Sequence, residues 1–512
     1  MLKSVLLAAA SFSTVAIAVT PAAAQATIEF LGRYESGAEG GAEISAYDTG
    51  GRRLFVTNGA TSMVDVLDVS NPAAPVFLTS IAVGGEPTHV AVAGRTLAVA
   101  VNKDGGESPG EVRFYTTAGV FQTAVEVGFL PDQVTLLNGG RLALVANEGE
   151  PRDAIDPPGS VTIVDLSREG RTSVCTADFS GIAPASLDAT TRLFPGEAPG
   201  VDFEPEYVVG IEGGRFAYAA LQEANALAEI DIAGCRVTAV RGLGHKDHRL
   251  EGNALDASDR DDAINIRNWP VSGIYMPDTI AAFVDRGETF IITANEGDAR
   301  DEDARVAGLT LDPAAFPDAA ALQQSANLGR LEVSTIDGDT DGDGDYDALF
   351  AYGARSFSIY RSTGEQVYDS GDDFERITAA ANPDFFNASN DEAEFDARSD
   401  AKGPEPEGLA IGQVGAQRLA FIGLERIGGV MVYDITNPRA PAFCSYVNSR
   451  DFGVEEIAFD TDLGPEGLVF VEARRSPTRR PLLFVTNEVS GTLASFEVKG
   501  GRCTNLPPEA RR

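Results

Sequence analysis

Ten carboxylate residues occur as five pairs along this chain, and the two members of each pair lie 16 to 22 positions apart. The first member follows a proline, and the second follows a short apolar segment. The pairs are Asp132 and Glu148, Glu206 and Glu223, Asp278 and Glu296, Glu407 and Glu425, and Glu466 and Glu488. If these carboxylates lie close together, they repel one another. A bound hard divalent cation such as Ca²⁺ or Mg²⁺ would neutralise this negative charge.

The residues between the two members of a pair indicate how they meet. After Asp132 come an alternating segment (133–137), an Asn-Gly-Gly turn and a second apolar segment (141–146), a pattern typical of a β-hairpin. Antiparallel strands place the start of the first and the end of the second on the same side. We therefore predict that all ten carboxylates surround one mouth of a central channel, and we call them the acidic ring.

The hairpin unit recurs seven times, five times with its acidic pair and twice upstream in degenerate form, at 43–58 and 86–102. Most copies are followed by an alternating strand that ends in Asp, such as 161–165. Repeats that cannot bury both faces alone must stack, so the sequence predicts an all-β, seven-bladed β-propeller. Gly59 and Lys103 replace the acid in the degenerate copies, so the ring is predicted to be lopsided. A β-sandwich would require seven coincidental matches.

Four long acidic insertions separate the repeats, at 183–203, 242–275, 297–328 and 362–403. Loops of this length lie at the surface, where they bind ligands or lack order. We predict one propeller domain over residues 27–505 with these loops inserted, followed by a polar tail at 506–512.

The repeated acids also have a simpler explanation. Asn and acidic side chains close turns by accepting backbone N–H bonds, and repeated blades repeat their turns. The sequence leaves both explanations of the acidic ring open.

A second cation site is predicted within residues 337–347, which we call the Asp-rich loop. Aspartates alternate with other residues there, and glycines allow sharp turns around an ion. The predicted ligands are Asp337, Asp339, Asp341, Asp343 and Asp345. The twelfth position after Asp337 or Asp339 lacks Glu, so the loop is not a regular EF-hand, and a solvated acidic loop is the alternative.

Residues 1–26 are predicted to be a signal peptide, with Lys3, an apolar stretch, and small residues before a cut after Ala24 or Ala26. The mature protein is then exported, to the periplasm or the extracellular space, with no membrane span. The four cysteines hold similar places in neighbouring blades, which predicts the disulfides Cys175–Cys235 and Cys444–Cys503.

The formal net charge of −37 makes nucleic acids and anionic lipids poor partners and makes cations natural ones. The sequence has no Walker loop and no dinucleotide fingerprint, so no organic cofactor is indicated. Ca²⁺ is the expected cofactor, chiefly in a structural role.

Eight segments together resemble the choice-of-anchor I family of exported bacterial propellers, which is similar to animal mesenchyme-specific cell surface glycoproteins. These segments are 244–248 (GHKDH), 255–259 (LDASD), 268–271 (NWPV), 294–300 (ANEGDAR), 353–359 (GARSFSI), 402–408 (KGPEPEG), 423–426 (GLER) and 487–492 (NEVSGT). Residues 54–58 (LFVTN) resemble YVTN-type repeats. The resemblance implies a seven-bladed propeller, sometimes found in proteins labelled alkaline phosphatase or phytase-like, but implies no catalytic residues.

Taken together, the sequence predicts an exported, calcium-stabilised propeller that acts as a binding or scaffold module for an unknown ligand or surface partner. The alternative is a Ca²⁺-dependent phosphoesterase in which the acidic ring holds the ions that bind phosphate and activate water. Few general bases and few positive groups for phosphate are evident, which weighs against catalysis.

Overall fold

The computed structural model describes residues 24–152, 155–166, 172–300, 302–453 and 459–504. The predicted signal peptide lies outside the described residues except for 24–26, and the predicted tail lies wholly outside them. Within these ranges no helix is both long enough and apolar enough to cross a bilayer.

β-Strand is the main regular secondary structure of the described residues. In chain order the strands are β1 (Thr27–Glu35), β2 (Ser45–Asp48), β3 (Arg53–Asn58), β4 (Met63–Asp68), β5 (Val76–Ala82), β6 (Glu86–Ala93), β7 (Thr96–Lys103), β8 (Ser108–Thr116), β9 (Phe121–Phe129), β10 (Pro131–Leu137), β11 (Leu142–Asn147), β12 (Ser160–Asp165), β13 (Ser173–Asp178), β14 (Pro205–Gly210), β15 (Phe216–Leu221), β16 (Ala226–Asp231), β17 (Arg236–Gly242), β18 (His245–Asp247), β19 (Ser272–Ile274), β20 (Ile280–Asp285), β21 (Glu288–Asn295), β22 (Asp303–Arg305), β23 (Glu332–Ser334), β24 (Phe350–Tyr352), β25 (Ser356–Arg361), β26 (Gln366–Asp369), β27 (Pro406–Val414), β28 (Gln417–Leu424), β29 (Val430–Asp434), β30 (Ala442–Val447), β31 (Pro465–Val471), β32 (Leu482–Asn487) and β33 (Thr492–Lys499). The α-helices are α1 (Pro199–Asp202), α2 (Ala319–Leu322) and α3 (Asp373–Ala381).

Seven four-stranded antiparallel sheets dominate the described ranges, and we number them one to seven along the chain. They contain β2–β5, β6–β9, β10–β13, β14–β17, then β20, β21, β25 and β26, then β27–β30, and finally β31–β33 with β1. The first strand of each sheet contacts the first strand of the next, and β31 of sheet seven contacts β2 of sheet one, which closes a ring. The prediction of an all-β propeller is confirmed.

The N-terminal strand closes the ring. β1 forms the outermost strand of sheet seven, where Thr27 lies opposite Lys499 and Glu35 lies opposite Thr492. Pairing the two ends of the chain in one sheet fastens the first repeat to the last and covers the edge of β33.

Apolar side chains that alternate along the strands form the core between neighbouring sheets. Between sheets five and six, Phe357 packs edge-to-face on Tyr433 with ring centroids 4.8 Å apart, and Phe374 of α3 completes this cluster. All three residues are fully buried. Burying an aromatic side chain of this size contributes about 1.5–3 kcal/mol, so such layers hold the sheets side by side.

Both predicted disulfides are confirmed. Cys175 on β13 is bonded to Cys235 before β17, with Cα atoms 6.3 Å apart, and this bond joins sheets three and four. Cys444 on β30 is bonded to Cys503 after β33, with Cα atoms 4.2 Å apart, and this bond joins sheets six and seven. Each bond ties together the outer parts of neighbouring sheets.

The insertions around sheet five contain more structure than the loops that the sequence predicted. They include a three-stranded sheet of β18, β19 and β24 and a two-stranded sheet of β22 and β23. Trp269, Val306, Phe316 and Leu331 form a separate apolar cluster there. These insertions fold as a small buried layer of their own because their apolar residues, although scattered in sequence, pack on one another.

Candidate functional site

The first acid of four of the five pairs lies beside an irregularity in the innermost strand. In sheets three, four, six and seven, the register between the first two strands shifts immediately after the proline. A residue in such a bulge leaves the regular pairing, which turns its side chain to a new direction. The acid therefore points into the channel mouth rather than between the sheets.

These acids line one cavity of about 410 Å³ in which all seven sheets are represented. Each sheet contributes the residue at the same place in its repeat, and the seven residues are Ser45, Thr88, Asp132, Glu206, Asp278, Glu407 and Glu466. The two degenerate repeats thus supply hydroxyl groups where the other five supply carboxylates, which agrees with the predicted lopsided ring.

Glycine allows the innermost strands to approach closely at this mouth. A Cβ atom on Gly408 would lie 2.0 Å from the carbonyl oxygen of Glu466, and one on Gly467 would lie 2.6 Å from that of Glu43. Any larger residue would force these strands apart. The Glu-Gly sequence in sheets six and seven therefore narrows the ring.

A backbone hydrogen bond ties the second acid of a pair to the segment that carries the first. The amide of Glu148 donates to the carbonyl of Leu130 at 2.9 Å, that of Glu425 donates to Glu405 at 2.9 Å, and that of Glu488 donates to Gly464 at 2.8 Å. Each acceptor immediately precedes the proline of the repeat. This bond brings the members of a pair together as the hairpin predicts.

The repeated asparagine before the second acid has a structural role. The side-chain amide of Asn147 donates to Ser160 at 3.2 Å and to Thr162 at 3.0 Å, and its oxygen accepts from the amide of Gly128 at 3.0 Å. Asn295 bonds Ser358 in the same way at 2.9 Å. These asparagines therefore tie strands together, and Asn147 also accepts a backbone N–H bond.

The carboxylates of the acidic ring form tight groups instead. Three groups at the mouth each have one carboxylate oxygen per residue within 4.8 Å of the others. The groups are Asp132, Glu148 and Glu206; Asp278, Glu296 and Glu407; and Glu296, Glu405 and Glu425. Separations of this size allow one cation to contact three carboxylates at once.

Burial and mutual repulsion raise the pKa values of the ring carboxylates. Burial raises the pKa of Asp132 to about 7, and burial together with Glu405 raises that of Glu425 to about 8. Burial and neighbouring acids raise the pKa values of Glu407 and Glu466 well above normal. Oε2 of each of these two residues is buried and has no hydrogen-bond partner among the residues that the structure describes. Without a cation, these carboxyl groups therefore keep their protons to a higher pH than ordinary carboxyl groups do.

Two cations of the chain neutralise part of the ring in sheets five and six. Nζ of Lys402 lies 3.2 Å from Glu296 and 2.9 Å from Glu405, and Arg426 lies 3.1 Å from Glu405 and 3.2 Å from Glu425. Burial acts to raise the pKa of Glu405, but Lys402, Arg398 and Arg426 outweigh it and lower that pKa to about 2. Glu405 is thus fully ionised and is held by the chain itself.

Arg355 fixes the segment that presents Lys402. Its guanidinium donates to the carbonyls of Ser399 and Ala401 at 2.8 Å each and pairs with Glu375. Arg355 is 5% exposed, and Glu375 is 1% exposed. The end of the insertion after sheet five is therefore clamped beside the acidic ring.

A larger cavity of about 650 Å³ adjoins the ring on the side of sheets three to five. Arg300 lies there, 3.0 Å from Asp202 and 3.5 Å from Glu223, and it also pairs with Glu204. Glu206 lines both cavities. The mouth of the channel thus opens sideways into a second acidic space.

Part of the predicted ligand set in the Asp-rich loop comes together. Asp339 and Asp341 form a group with Asp347, and Asp345 and Asp347 form a group with Asp312. The loop lies mostly at the surface, and Asp339 also accepts backbone N–H bonds within it. This arrangement suits either a cation or a self-capped acidic loop.

Two predicted ligands of this loop lie outside those groups. Asp337 pairs with Arg192 at 3.0 Å and accepts from Ser334 at 2.6 Å. Asp343 accepts from the amide of Asp345 at 3.1 Å. Asp337 therefore lies at the base of the loop, and Asp343 lies in its turn.

Several charged residues of the site were missed in the sequence, namely Glu43, Glu204, Arg300, Lys402, Glu405 and Arg426. One available signal was the sequence Glu-Pro-Glu, which occurs at 204–206 and again at 405–407. The glutamate before proline binds a cation of the chain in both copies, and the one after proline joins the ring.

The raised pKa values predict how the stability of metal-free protein depends on pH. Asp132 and Glu425 keep their protons up to about pH 7 and 8 in the folded state, whereas they lose them near their normal pKa values when unfolded. The folded state therefore binds more protons, and the free energy of unfolding should fall as pH rises from 5 to 8 in chelator. Urea unfolding at several pH values measures this slope.

The matched control for that slope is the double variant Asp132→Asn and Glu425→Gln, which should flatten the pH dependence. Stability that stays level or increases between pH 5 and 8 in the metal-free parent would show that the ring carboxylates are already ionised.

Comparison with known proteins agrees with the fold. A family model of the choice-of-anchor I domain matches residues 43–438. Gigasin-3a of Magallana gigas is 36% identical over 193 residues, which cover 35% of this chain and 68% of gigasin-3a. Mesenchyme-specific cell surface glycoprotein of Strongylocentrotus purpuratus is 26% identical over 229 residues, which cover 36% of this chain and 29% of that protein.

Solved structures are more distant. Hydrazine synthase of Kuenenia stuttgartiensis matches with a TM-score of 0.43 and 14% identity, over 93% of this chain and 100% of that chain. The β-propeller domain of Cps50 (Swd1) of Myceliophteria thermophila matches with a TM-score of 0.44 and 10% identity, over 92% of this chain and 100% of that chain. Because both TM-scores are below 0.5, the fold assignment is based on the seven sheets and not on these structures.

The family match begins just before β2 of sheet one and ends after β29 of sheet six. It includes eight of the ten residues of the acidic ring and the whole Asp-rich loop. It covers more than half of the sequence, and it agrees with the resemblance of the eight motifs. This chain belongs to the choice-of-anchor I family.

Proposed function

We propose that this chain is an exported propeller that binds Ca²⁺ at its acidic ring and acts as a binding or scaffold module at the cell envelope or outside the cell. The observation that carries the proposal is the set of buried, unpartnered carboxylate oxygens at one channel mouth, including Oε2 of Glu407 and Oε2 of Glu466. A bound cation supplies the missing partner for these oxygens.

The donor set favours calcium. The groups of the ring offer carboxylate oxygens without thiolate or imidazole ligands. Hard oxygen ligands suit Ca²⁺ and Mg²⁺ rather than zinc, and Ca²⁺ tolerates the irregular geometry of groups drawn from different sheets. The net charge of −37 raises the local concentration of cations at the surface.

The Asp-rich loop is the second place that we propose for Ca²⁺, with a stabilising role. Asp339, Asp341 and Asp347 provide three oxygens close together, and Asp345 extends the set. Like charges this close destabilise the ion-free loop, so an ion there holds the insertion in one conformation.

Export is supported by three observations. The first 26 residues have the composition of a signal peptide, all four cysteines form disulfides, and the chain belongs to a family of domains named for their varied anchors. Disulfides form and persist in oxidising compartments such as the periplasm and the extracellular space.

A Ca²⁺-dependent phosphoesterase is the second candidate. Three positive side chains lie beside the acidic ring, those of Arg300, Lys402 and Arg426. They are positive groups that were not evident in the sequence. Each of them already pairs with carboxylates of the chain, which leaves little positive charge for a phosphate ester. This balance favours a binding module.

Purified protein assayed against phosphomonoesters and phytate, with Ca²⁺ and with chelator, separates the two candidates. We expect Ca²⁺ to bind without turnover. Metal-dependent hydrolysis that is abolished in Glu296→Gln and Glu425→Gln, but kept in the exposed control Glu251→Gln, would establish the phosphoesterase. Absence of Ca²⁺ binding would contradict both candidates.

A further inference from the structure

Two of the carboxylate groups at the channel mouth follow one rule. Each combines both acids of one sheet with the first acid of the next sheet along the chain. The first group joins sheets three and four through Asp132, Glu148 and Glu206, and the second joins sheets five and six through Asp278, Glu296 and Glu407. The two groups are therefore equivalent positions in the repeat.

At the corresponding positions of sheets four and six, side chains of the protein itself contact the second acid of the pair. Between sheets four and five, Arg300 lies 3.5 Å from Glu223. In sheet six, Arg426 lies 3.2 Å from Glu425, and Asn390 donates to the same carboxylate at 2.9 Å. Within the described ranges, no equivalent group of three carboxylates forms at either place.

A third carboxylate group already contains a cation. Glu296, Glu405 and Glu425 lie close together, and Nζ of Lys402 lies within 3.2 Å of Glu296 and 2.9 Å of Glu405. An ammonium group of the chain thus occupies the place that a metal ion would take.

Each of the two equivalent groups contains a carboxylate with an oxygen that lacks a partner among the described residues. Glu206 is 9% exposed, and within the described residues no hydrogen bond or ion pair engages its carboxylate. Oε2 of Glu407 is buried and unpartnered as well. Burying an acceptor without a partner destabilises the folded state, so these oxygens indicate ligands that the chain does not supply.

From this alternation we propose that the acidic ring holds two separate divalent cations rather than one on the channel axis. One ion lies between sheets three and four, and the other lies between sheets five and six. Between sheets four and five Arg300 takes the place of a metal ion, and at the end of sheet six Arg426 does so. This inference rests on the proposed function. Each ion joins neighbouring sheets through carboxylates of both, so the two ions fasten the propeller at its inner edge.

Isothermal titration with CaCl₂ on the full chain tests the number of ions. The parent carries Asp339→Asn and Asp347→Asn, which remove at least one ligand from both carboxylate groups of the Asp-rich loop. We expect two ions in this parent, one after adding Glu206→Gln, one after adding Glu407→Gln, and none with both. Circular dichroism verifies folding, and Asp132→Asn replaces Glu206→Gln if that variant does not fold.

The matched control is Glu251→Gln, an exposed change outside the ring, which should keep both ions. A single ion, or two ions lost together in any one variant, would overturn this inference while leaving calcium binding at the ring intact. No calcium bound in the parent would overturn the proposed function as well.

Discussion

Calcium added to metal-free protein should raise its melting temperature, by an amount that grows with the free calcium concentration. The ring residues come from five sheets and meet only in the folded chain, so the ion binds the folded state and not the unfolded one. Each site then stabilises the fold by about 4 kcal/mol when free calcium is about 1,000 times its Kd. Calorimetry in chelator and in a calcium series measures the shift.

Two variants locate the source of that stabilisation. The double variant Glu206→Gln and Glu407→Gln should lose most of the calcium-dependent shift, because it removes one ligand from each equivalent group. Glu251→Gln, an exposed change away from the ring, should keep it. If the protein without substitutions has the same melting temperature in calcium and in chelator, neither the ring nor the Asp-rich loop binds a cation.

Arg355→Met should lower the free energy of unfolding by about 3–5 kcal/mol, because it removes the guanidinium that pairs with the buried Glu375. The change also removes the hydrogen bonds to Ser399 and Ala401 that hold the segment before Lys402. Denaturant unfolding measures the loss.

Arg439→Met is the matched control, since Arg439 pairs with Glu288 at the surface, where both side chains are at least 40% exposed. Such pairs contribute about 0–1 kcal/mol. If Arg355→Met destabilises the protein no more than Arg439→Met, the clamp beside the ring is not energetically important. Arg355→Lys should recover little, because an ammonium group cannot reach all the same acceptors.

The repeat made the acidic ring predictable. In sheets three to seven, a proline followed by an acid lies at or just before the start of the innermost strand, and a hairpin returns the second acid to the same side. Local patterns of this kind determine geometry because strands alternate and hairpins reverse direction. The equivalence of Ser45 and Thr88 to the ring acids follows from the same rule.

The cations of the site were not predictable in this way. Lys402 lies at the end of a long insertion, and its position depends on Arg355, which is 47 residues earlier in the chain. Contacts between distant segments decide where an irregular loop folds, and no period in the sequence encodes them. The cluster around Trp269 was hidden for the same reason, because its members come from two separate insertions.

A crystal equilibrated with Ca²⁺ and measured where calcium scatters anomalously tests the central claim most directly. We predict anomalous density at the channel mouth against the carboxylates of Asp132, Glu148 and Glu206 and against those of Asp278, Glu296 and Glu407. A well-ordered ring without anomalous density at saturating calcium would contradict the claim that these carboxylates form a cation site.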